Sequence, residues 1–169
     1  FTRDRTFADL DVPLAVVATD IRTGEEVVIN SGLVADGVSA SFSIPGIFVP
    51  VERDGRLLVD GGLVNRVPAD VCRRLGADVV IAVDVGLPPI GKRVKNLADV
   101  ILRTIEILDR ESARQRIAAA NVVIKPELGN VMSTQLNRAA EIIAAGRTAA
   151  EKQLSQITAA IRGAEEQAN

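Results

Sequence analysis

Short apolar runs separated by turn-forming residues fill the first half of the chain, a pattern typical of β-strands. The continuous apolar run 14–19 predicts a buried strand, and a turn leads from it into a second strand over 26–30. The Asp-Gly pair at 54–55 lies between two further apolar runs. It therefore predicts a β-hairpin with strands over 49–52 and 56–59.

Apolar residues at helical spacing predict the helices of this first half. Residues 33–40 indicate a short helix, and a second helix spans 68–76, between a proline and a glycine. Its apolar side is predicted to consist of Val71, Cys72 and Leu75, with Cys72 acting as a small buried residue.

Two long helices are predicted in the second half of the chain. The first spans 94–108, and both are expected to cover a sheet with their apolar faces. The apolar stripe of the last helix consists of Leu136, Ala140, Ile143, Ala150, Leu154, Ile157 and Ile161.

The segment 79–85 is the most apolar run of the chain. Its apolarity on both faces predicts a central parallel strand, and residues 122–124 form the last predicted strand. Strands that alternate with helices in this way predict an α/β fold with a largely parallel sheet.

The composition indicates the cellular compartment of the chain and argues against some classes of binding partner. The 169 residues suffice for one domain, and a net charge of −2 argues against a general nucleic-acid partner. The chain has four Phe and no Trp or Tyr, so its core must consist of aliphatic side chains. A single cysteine, Cys72, excludes an internal disulfide and fits a reducing compartment. No apolar run is long enough to span a membrane.

The main candidate for chemistry is Asp60, which ends the apolar run 57–59 and precedes Gly61 and Gly62. An acid at the end of a strand lies at the sheet edge where α/β proteins place their sites. The two glycines allow positive φ and close approach of another group. On the local sequence alone, a functional carboxylate and a plain turn-closing aspartate remain equally open.

Two segments resemble known catalytic loops but lack essential residues. Residues 86–93 follow a predicted strand and approximate a phosphate-binding loop, which would make the chain a nucleotide-binding domain. Arg93 replaces the Mg²⁺-binding hydroxyl, and Pro88 and Pro89 remove two N–H donors, so a rigid connection is the preferred interpretation. Residues 37–41 resemble a nucleophile elbow, but their helical context favours ordinary helical serines.

Metal and triad chemistry are poorly supported. The chain has no histidine and one cysteine, which argues against a zinc site and excludes a Ser-His-Asp triad within it. Asp20, Asp60 and Asp84 all end predicted strands and could in principle converge on Mg²⁺. Capping of turns is the more common role of such residues, so neither a metal nor a cofactor is expected.

Several segments together carry a family resemblance that covers most of the chain, from about residue 7 to residue 146. They are residues 17–20, 24–25, 40–51, 58–65, Pro68 and 75–78. In these segments the chain resembles the C-terminal half of bacterial patatin-like phospholipases and esterases, the group related to neuropathy target esterase.

The resemblance implies a three-layer patatin-like fold with a largely parallel central sheet, of which this chain is an incomplete portion. It also implies a Ser-Asp dyad, whose acid falls on Asp60, while the serine and the oxyanion loop have no counterpart in this chain. Residues 1–169 are accordingly expected to be the C-terminal half of a single hydrolase domain and to be inactive alone. Ile44, Ile47 and Phe48 are candidates for an acyl pocket, although plain core packing is the preferred interpretation.

The function implied by the resemblance is lipid acyl hydrolysis by the full-length protein, as a phospholipase, lysophospholipase or carboxylesterase. The expected partners are a lipid ester and the upstream half of the same domain, and the expected location is the cytoplasm, with contact to a membrane surface. The alternative function is a non-catalytic patatin-like domain that binds lipid or another protein.

Overall fold

A computed structural model describes residues 4–86, 100, 104, 116–129, 131 and 135–168. These residues form two compact units. The first unit contains residues 4–66 with residues 100 and 104, and the second contains residues 67–86 and the described residues from 116 onward.

The first unit is built on a four-stranded sheet that packs against helix α1 (Val34–Ser41). Its strands are β1 (Val16–Asp20), β2 (Glu26–Ile29), β3 (Val51–Arg53) and β4 (Arg56–Asp60), in the spatial order β2-β1-β4-β3. Helix α1 connects β2 to the segment that leads into β3. These elements confirm the strands, the hairpin and the short helix that the sequence predicts for this region.

All strand pairs in this sheet are antiparallel, so these four strands do not form the largely parallel sheet that the sequence predicts. Two of these pairs, β1–β2 and β3–β4, are joined by short turns, and neighbouring strands joined in this way must run in opposite directions. Asp54 and Gly55 make such a turn with φ values of 50° and 72°. In the pairing of β1 with β4, Ala18 lies opposite Asp60, and Asp20 lies opposite Leu58.

The core of the first unit lies between the sheet and helix α1. Gly37 faces this core, where an added Cβ would lie 2.8 Å from the Phe7 ring, so the helix packs on that ring only because residue 37 lacks a side chain. The buried apolar side chains that pack together in this core are Phe7, Ala18, Ile29, Val34, Ala40 and Leu58.

The described part of the second unit has a two-stranded parallel sheet and several helices. Its elements are α2 (Ala69–Arg74), β5 (Ile81–Val83), β6 (Val122–Ile124), α3 (Ala139–Lys152) and α4 (Leu154–Ala168). The parallel pairing of β5 with β6 agrees with the direction predicted for strand 79–85. A small cluster of Val67, Ala69, Val80 and Ala82 forms the core of this unit.

Strand β5 is less buried than its apolar sequence predicts. In the described part of the chain, Ala82 is buried, whereas the side chains of Ile81 and Val83 are 41% and 52% exposed. An apolar run indicates that its side chains favour burial, but it does not indicate which helices or strands cover them.

The last predicted helix is two helices, since α3 ends before Gln153 and α4 begins after it. Neither helix contains a buried residue, and Ile143 and Leu154 are 69% and 56% exposed, so the predicted apolar stripe is not covered. The helix predicted over 94–108 lies outside the described residues, except for Val100 and Thr104, which are helical. No described helix has both the length and the apolarity that a membrane span requires.

Helix α2 corrects the prediction for Cys72. Its thiol is exposed, and Leu75, which follows the helix, is 52% exposed, whereas Val71 is buried as expected. The helix has six residues and buries Ala69 and Val71, so it is too short to present the longer apolar face that the sequence suggests.

Candidate functional site

Strand β4 ends at Asp60, and two long-range hydrogen bonds hold the backbone of this residue. Its N–H donates to the carbonyl oxygen of Ser43 at 3.0 Å. Its own carbonyl oxygen accepts a hydrogen bond from the Thr19 hydroxyl at 2.8 Å. The acid is therefore held between strand β1 on one side and the segment after α1 on the other.

The Asp60 carboxylate is half-buried and caps a short 3-10 helix, Gly61–Leu63. Its Oδ1 atom accepts a hydrogen bond from the Gly62 N–H at 2.7 Å. Burial raises the pKa of Asp60 above its ordinary value, and the Gly62 N–H opposes part of that rise. A carboxylate with a raised pKa is a stronger base, which suits a group that takes a proton.

The two glycines after Asp60 are required by close packing and not by positive φ. Neither Gly61 nor Gly62 is among the residues with positive φ, so that part of the sequence interpretation is wrong. A Cβ on Gly61 would lie 2.1 Å from the Val17 carbonyl oxygen, and one on Gly62 would lie 3.0 Å from Asp60 Oδ1. The predicted close approach is confirmed at both positions.

The serines nearest to Asp60 in the chain bond to backbone carbonyls. The Ser41 hydroxyl donates to the Val17 carbonyl at 2.7 Å, and the buried Ser43 hydroxyl donates to the Ser39 carbonyl at 2.6 Å. Among the described residues, the one hydrogen bond to the Asp60 carboxylate comes from Gly62. Residues 37–41 lie within α1, which confirms the interpretation of ordinary helical serines.

The segment that carries Ser43 also carries an exposed apolar surface, formed by Phe42, Ile47, Phe48 and Val49. Ile47 and Phe48 are 60% and 46% exposed, so core packing is the wrong description of these two side chains, whereas Ile44 is half-buried. The Phe42 and Phe48 rings meet edge to face with their centroids 5.2 Å apart. Apolar side chains therefore lie open to solvent on the segment that is hydrogen-bonded to Asp60.

The other two acids at strand ends bond to their own turns. Asp20 is buried, and its Oδ1 accepts a hydrogen bond from the Arg22 N–H at 3.0 Å. Asp84 accepts one from the Gly86 N–H at 3.0 Å and lies 3.6 Å from the Lys125 ammonium. Within the described ranges, no group of three metal-binding side chains comes together. Residues 86–93 approximate a phosphate-binding loop in sequence, and all of them except Gly86 lie outside those ranges.

Thr19 and Ser43, which hold the Asp60 backbone, are not predicted as site residues from the sequence. Thr19 lies 41 positions from Asp60 in the chain, and no local pattern links the two. The pairing of β1 with β4 brings them together, so the signal that could identify Thr19 is the register of those strands.

Comparisons with known proteins concern mainly the first half of the chain. Residues 2–73 match the family model described as Patatin-like phospholipase. Patatin-like phospholipase domain-containing protein 7 of Rattus norvegicus is 44% identical over 86 residues, which is 50% of this chain and 6% of that protein. Patatin-like phospholipase domain-containing protein 6 of Homo sapiens is 41% identical over 86 residues, again 50% of this chain and 6% of that protein.

A bacterial relative covers a similar part of the chain. An uncharacterized NTE family protein of Mycobacterium bovis is 40% identical over 74 residues, which is 44% of this chain and 21% of that protein. This chain therefore spans a small part of the length of the relatives it matches. The predicted resemblance to patatin-like phospholipases is confirmed over residues 2–73, which include Asp60 and the residues that hold it.

Proposed function

We propose that this chain, whose residues 2–73 match the patatin-like phospholipase family, supplies the catalytic acid of a serine-aspartate lipid ester hydrolase. Asp60 is the general base. The nucleophilic serine and the oxyanion loop lie upstream in the same domain, of which residues 1–169 are the C-terminal half. The observation that carries the proposal is the half-buried Asp60 carboxylate, held at a strand end within the matched segment.

In the proposed reaction, the serine hydroxyl attacks the ester carbonyl carbon while Asp60 takes the hydroxyl proton. The tetrahedral intermediate then collapses, and the alcohol leaves with the proton that Asp60 returns to it. A water molecule attacks the acyl-enzyme in the same way, with Asp60 again accepting the proton. When this second tetrahedral intermediate collapses, the carboxylic acid product is released and Asp60 returns the proton to the serine oxygen, so the free serine and the Asp60 carboxylate are restored.

The surroundings of Asp60 fit this role of a base. An ordinary aspartate ionises near 3.8 and is a weak base toward a serine hydroxyl, so burial that raises the pKa strengthens it. Gly62 fixes Oδ1, and among the described residues no donor bonds to Oδ2. The second oxygen is thus the one that can receive the proton.

Ile44, Ile47 and Phe48 are the proposed contacts to the acyl chain. Their support is the exposure of Ile47 and Phe48 on the segment that is hydrogen-bonded to Asp60 through Ser43. We also propose that the protein is cytoplasmic and contacts a membrane surface, where its lipid ester substrate lies. A three-layer fold with a parallel central sheet is proposed for the whole domain, and the parallel pair β5–β6 is consistent with it.

The second candidate function is a non-catalytic domain that binds lipid or another protein. The exposed apolar surface of Phe42, Ile47, Phe48 and Val49 favours it, because such a surface serves binding whether or not a serine is present.

A fluorophosphonate probe, which reacts with activated serines, distinguishes the two functions. The full-length protein is expected to be labelled at one upstream serine, and the 169-residue chain to remain unlabelled. Labelling of the 169-residue chain would contradict the assignment of the serine to the upstream half. An unlabelled full-length protein would favour the binding domain.

A further inference from the structure

We infer that Thr19 is a positioning residue that sets the direction of the Asp60 carboxylate, an inference that rests on the function proposed above. Thr19 lies in strand β1 and is 4% exposed. Its hydroxyl donates to the Asp60 carbonyl at 2.8 Å. It reaches the proposed base through the backbone and not through the carboxylate itself.

The path from Thr19 to the carboxylate follows the turn. The Asp60 carbonyl belongs to the peptide that joins Asp60 to Gly61, so the Thr19 hydroxyl fixes the plane of that peptide. The next peptide carries the Gly62 N–H, which holds Asp60 Oδ1 at 2.7 Å. A rotation of the first peptide would move this donor, and the carboxylate would turn with it.

Other contacts hold the N–H side of Asp60 and the glycines that follow it, and the Thr19 bond holds the carbonyl between them. The Asp60 N–H is held by the Ser43 carbonyl at 3.0 Å. Gly61 lies against the Val17 carbonyl and leaves no room for a lateral shift. The Gly61 carbonyl accepts hydrogen bonds from the Val64 and Asn65 N–H groups at 3.1 and 2.9 Å, which hold the peptide that carries the Gly62 N–H. Thr19 holds the peptide before it, through the Asp60 carbonyl.

The hydroxyl of Thr19 is not needed to form strand β1. The backbone of Thr19 pairs with Val59 in the sheet, and valine is as well suited to a strand as threonine. A buried hydroxyl is costly unless it is hydrogen-bonded, so an apolar residue would be the simpler choice at this position. The hydroxyl is therefore best explained by the bond that it makes to Asp60.

The test compares four variants in the full-length protein with a soluble acyl ester. Thr19→Val removes the hydroxyl and keeps the shape, whereas Thr19→Ser keeps the hydroxyl and removes the methyl group. Thr19→Ala completes the series, because it differs from Thr19→Ser by the hydroxyl oxygen alone. Thr23→Val is the matched control, since the Thr23 hydroxyl bonds to the Glu25 N–H in an exposed turn.

We expect Thr19→Val to lower kcat by about tenfold or more, because small misplacements of a catalytic group reduce the rate of the chemical step. KM should match that of Thr23→Val, and Thr19→Val should still fold, with a melting temperature lowered by the loss of one buried hydrogen bond. Thr19→Ser should recover most of the wild-type kcat, and Thr19→Ala should fall well below Thr19→Ser.

Three results would overturn the inference. Equal kcat values for Thr19→Val and Thr23→Val would remove the positioning role, and so would equal kcat values for Thr19→Ser and Thr19→Ala. Failure of both Thr19→Val and Thr19→Ala to fold would show a purely structural role. Asp60→Asn, measured alongside, separates the catalytic role of Asp60 from the positioning role of Thr19. If Asp60→Asn is inactive, the proposed function stands whatever the Thr19 variants show. If Asp60→Asn is active, both proposals are wrong.

Discussion

Gly61 lies so close to Val17 that a Cβ atom on the glycine would stand 2.1 Å from the Val17 carbonyl oxygen. The same carbonyl accepts a hydrogen bond from the Ser41 hydroxyl, at the end of α1, over 2.7 Å. Strand β1, helix α1 and the Asp60 turn therefore meet at one backbone group. A residue with a side chain cannot occupy position 61 unless these elements move apart.

Gly61→Ala is accordingly expected to lower the free energy of unfolding by about 1–3 kcal/mol, the range for overpacking in a core. Gly146→Ala is the control, because Gly146 lies inside helix α3 with no atom within 4 Å of an added Cβ. That substitution should raise the stability by about 0.5–1 kcal/mol. Urea unfolding of both variants measures the difference, and a Gly61→Ala protein as stable as wild type would disprove the close contact.

The raised pKa of Asp60 predicts a dependence of stability on pH. The folded protein binds the Asp60 proton more tightly than the unfolded chain does, so ionisation of Asp60 lowers stability as the pH rises above about 3.8. Asp60→Asn does not ionise and escapes this loss. Its melting temperature, relative to wild type, should therefore increase between about pH 3 and about pH 7.

Asp54→Asn is the control for this comparison. The Asp54 side chain is 86% exposed in the hairpin turn, so Asp54→Asn makes the same change of side chain without burial. A constant difference in melting temperature between Asp60→Asn and wild type across the same pH range would show that burial does not raise the Asp60 pKa.

Arg73 and Arg74 are neighbours in helix α2 and should differ in their contribution to the second unit. The Arg73 guanidinium donates to several acceptors at once, namely the carbonyls of Ala77, Asp78 and Ala119 and the side-chain oxygen of Asn121. A lysine cannot reproduce this planar array of donors. Arg73→Lys should therefore lower the free energy of unfolding by about 1–3 kcal/mol.

Arg74 forms an exposed ion pair with Asp70 at 2.8 Å, which a lysine can keep. We expect Arg74→Lys to change stability by less than about 0.5 kcal/mol. Chemical unfolding of the two variants side by side measures the contrast. Equal losses would mean that the acceptors around Arg73 do not stabilise the unit.

The proposed acyl contacts predict that a substitution of Ile47 changes KM for esters with long acyl chains and leaves KM for esters with short ones unchanged. Ile47→Ser removes apolar contact worth about 1 kcal/mol. KM for a long-chain ester should rise by about fivefold, whereas KM for an acetyl ester should not change. Val12→Ser is the control, since Val12 is 74% exposed in the segment before β1. An equal response to both esters would exclude Ile47 from the acyl contacts.

Elements determined by local chemistry could be predicted from the sequence. The hairpin is one, because Asp54 and Gly55 readily take the left-handed conformation that a tight turn requires. Strand direction could not be predicted in the same way. An apolar run such as 14–19 indicates burial but records neither which strands pair with it nor their direction. Strand β1 pairs antiparallel both with β2, across a short turn, and with β4, which is distant in the chain.

The candidate site was predictable in part for a similar reason. Asp60 and its glycines form a contiguous pattern, so their importance could be inferred along the chain. The groups that hold Asp60, Thr19 and Ser43, reach it through strand pairing and a loop contact, which no local pattern records. Cys72 and Leu75 failed as core residues because helix α2 is shorter than the apolar pattern suggested.

The measurement that tests the proposed role of Asp60 most directly is the turnover of a chromogenic acyl ester by the full-length protein carrying Asp60→Asn. Asparagine keeps the shape and can still accept the Gly62 hydrogen bond, but it cannot take a proton from a serine. We expect kcat to fall by about 10²–10⁴-fold, with the fold intact and with Asp54→Asn at the wild-type rate. Near-normal turnover by Asp60→Asn would contradict the assignment of Asp60 as the catalytic base.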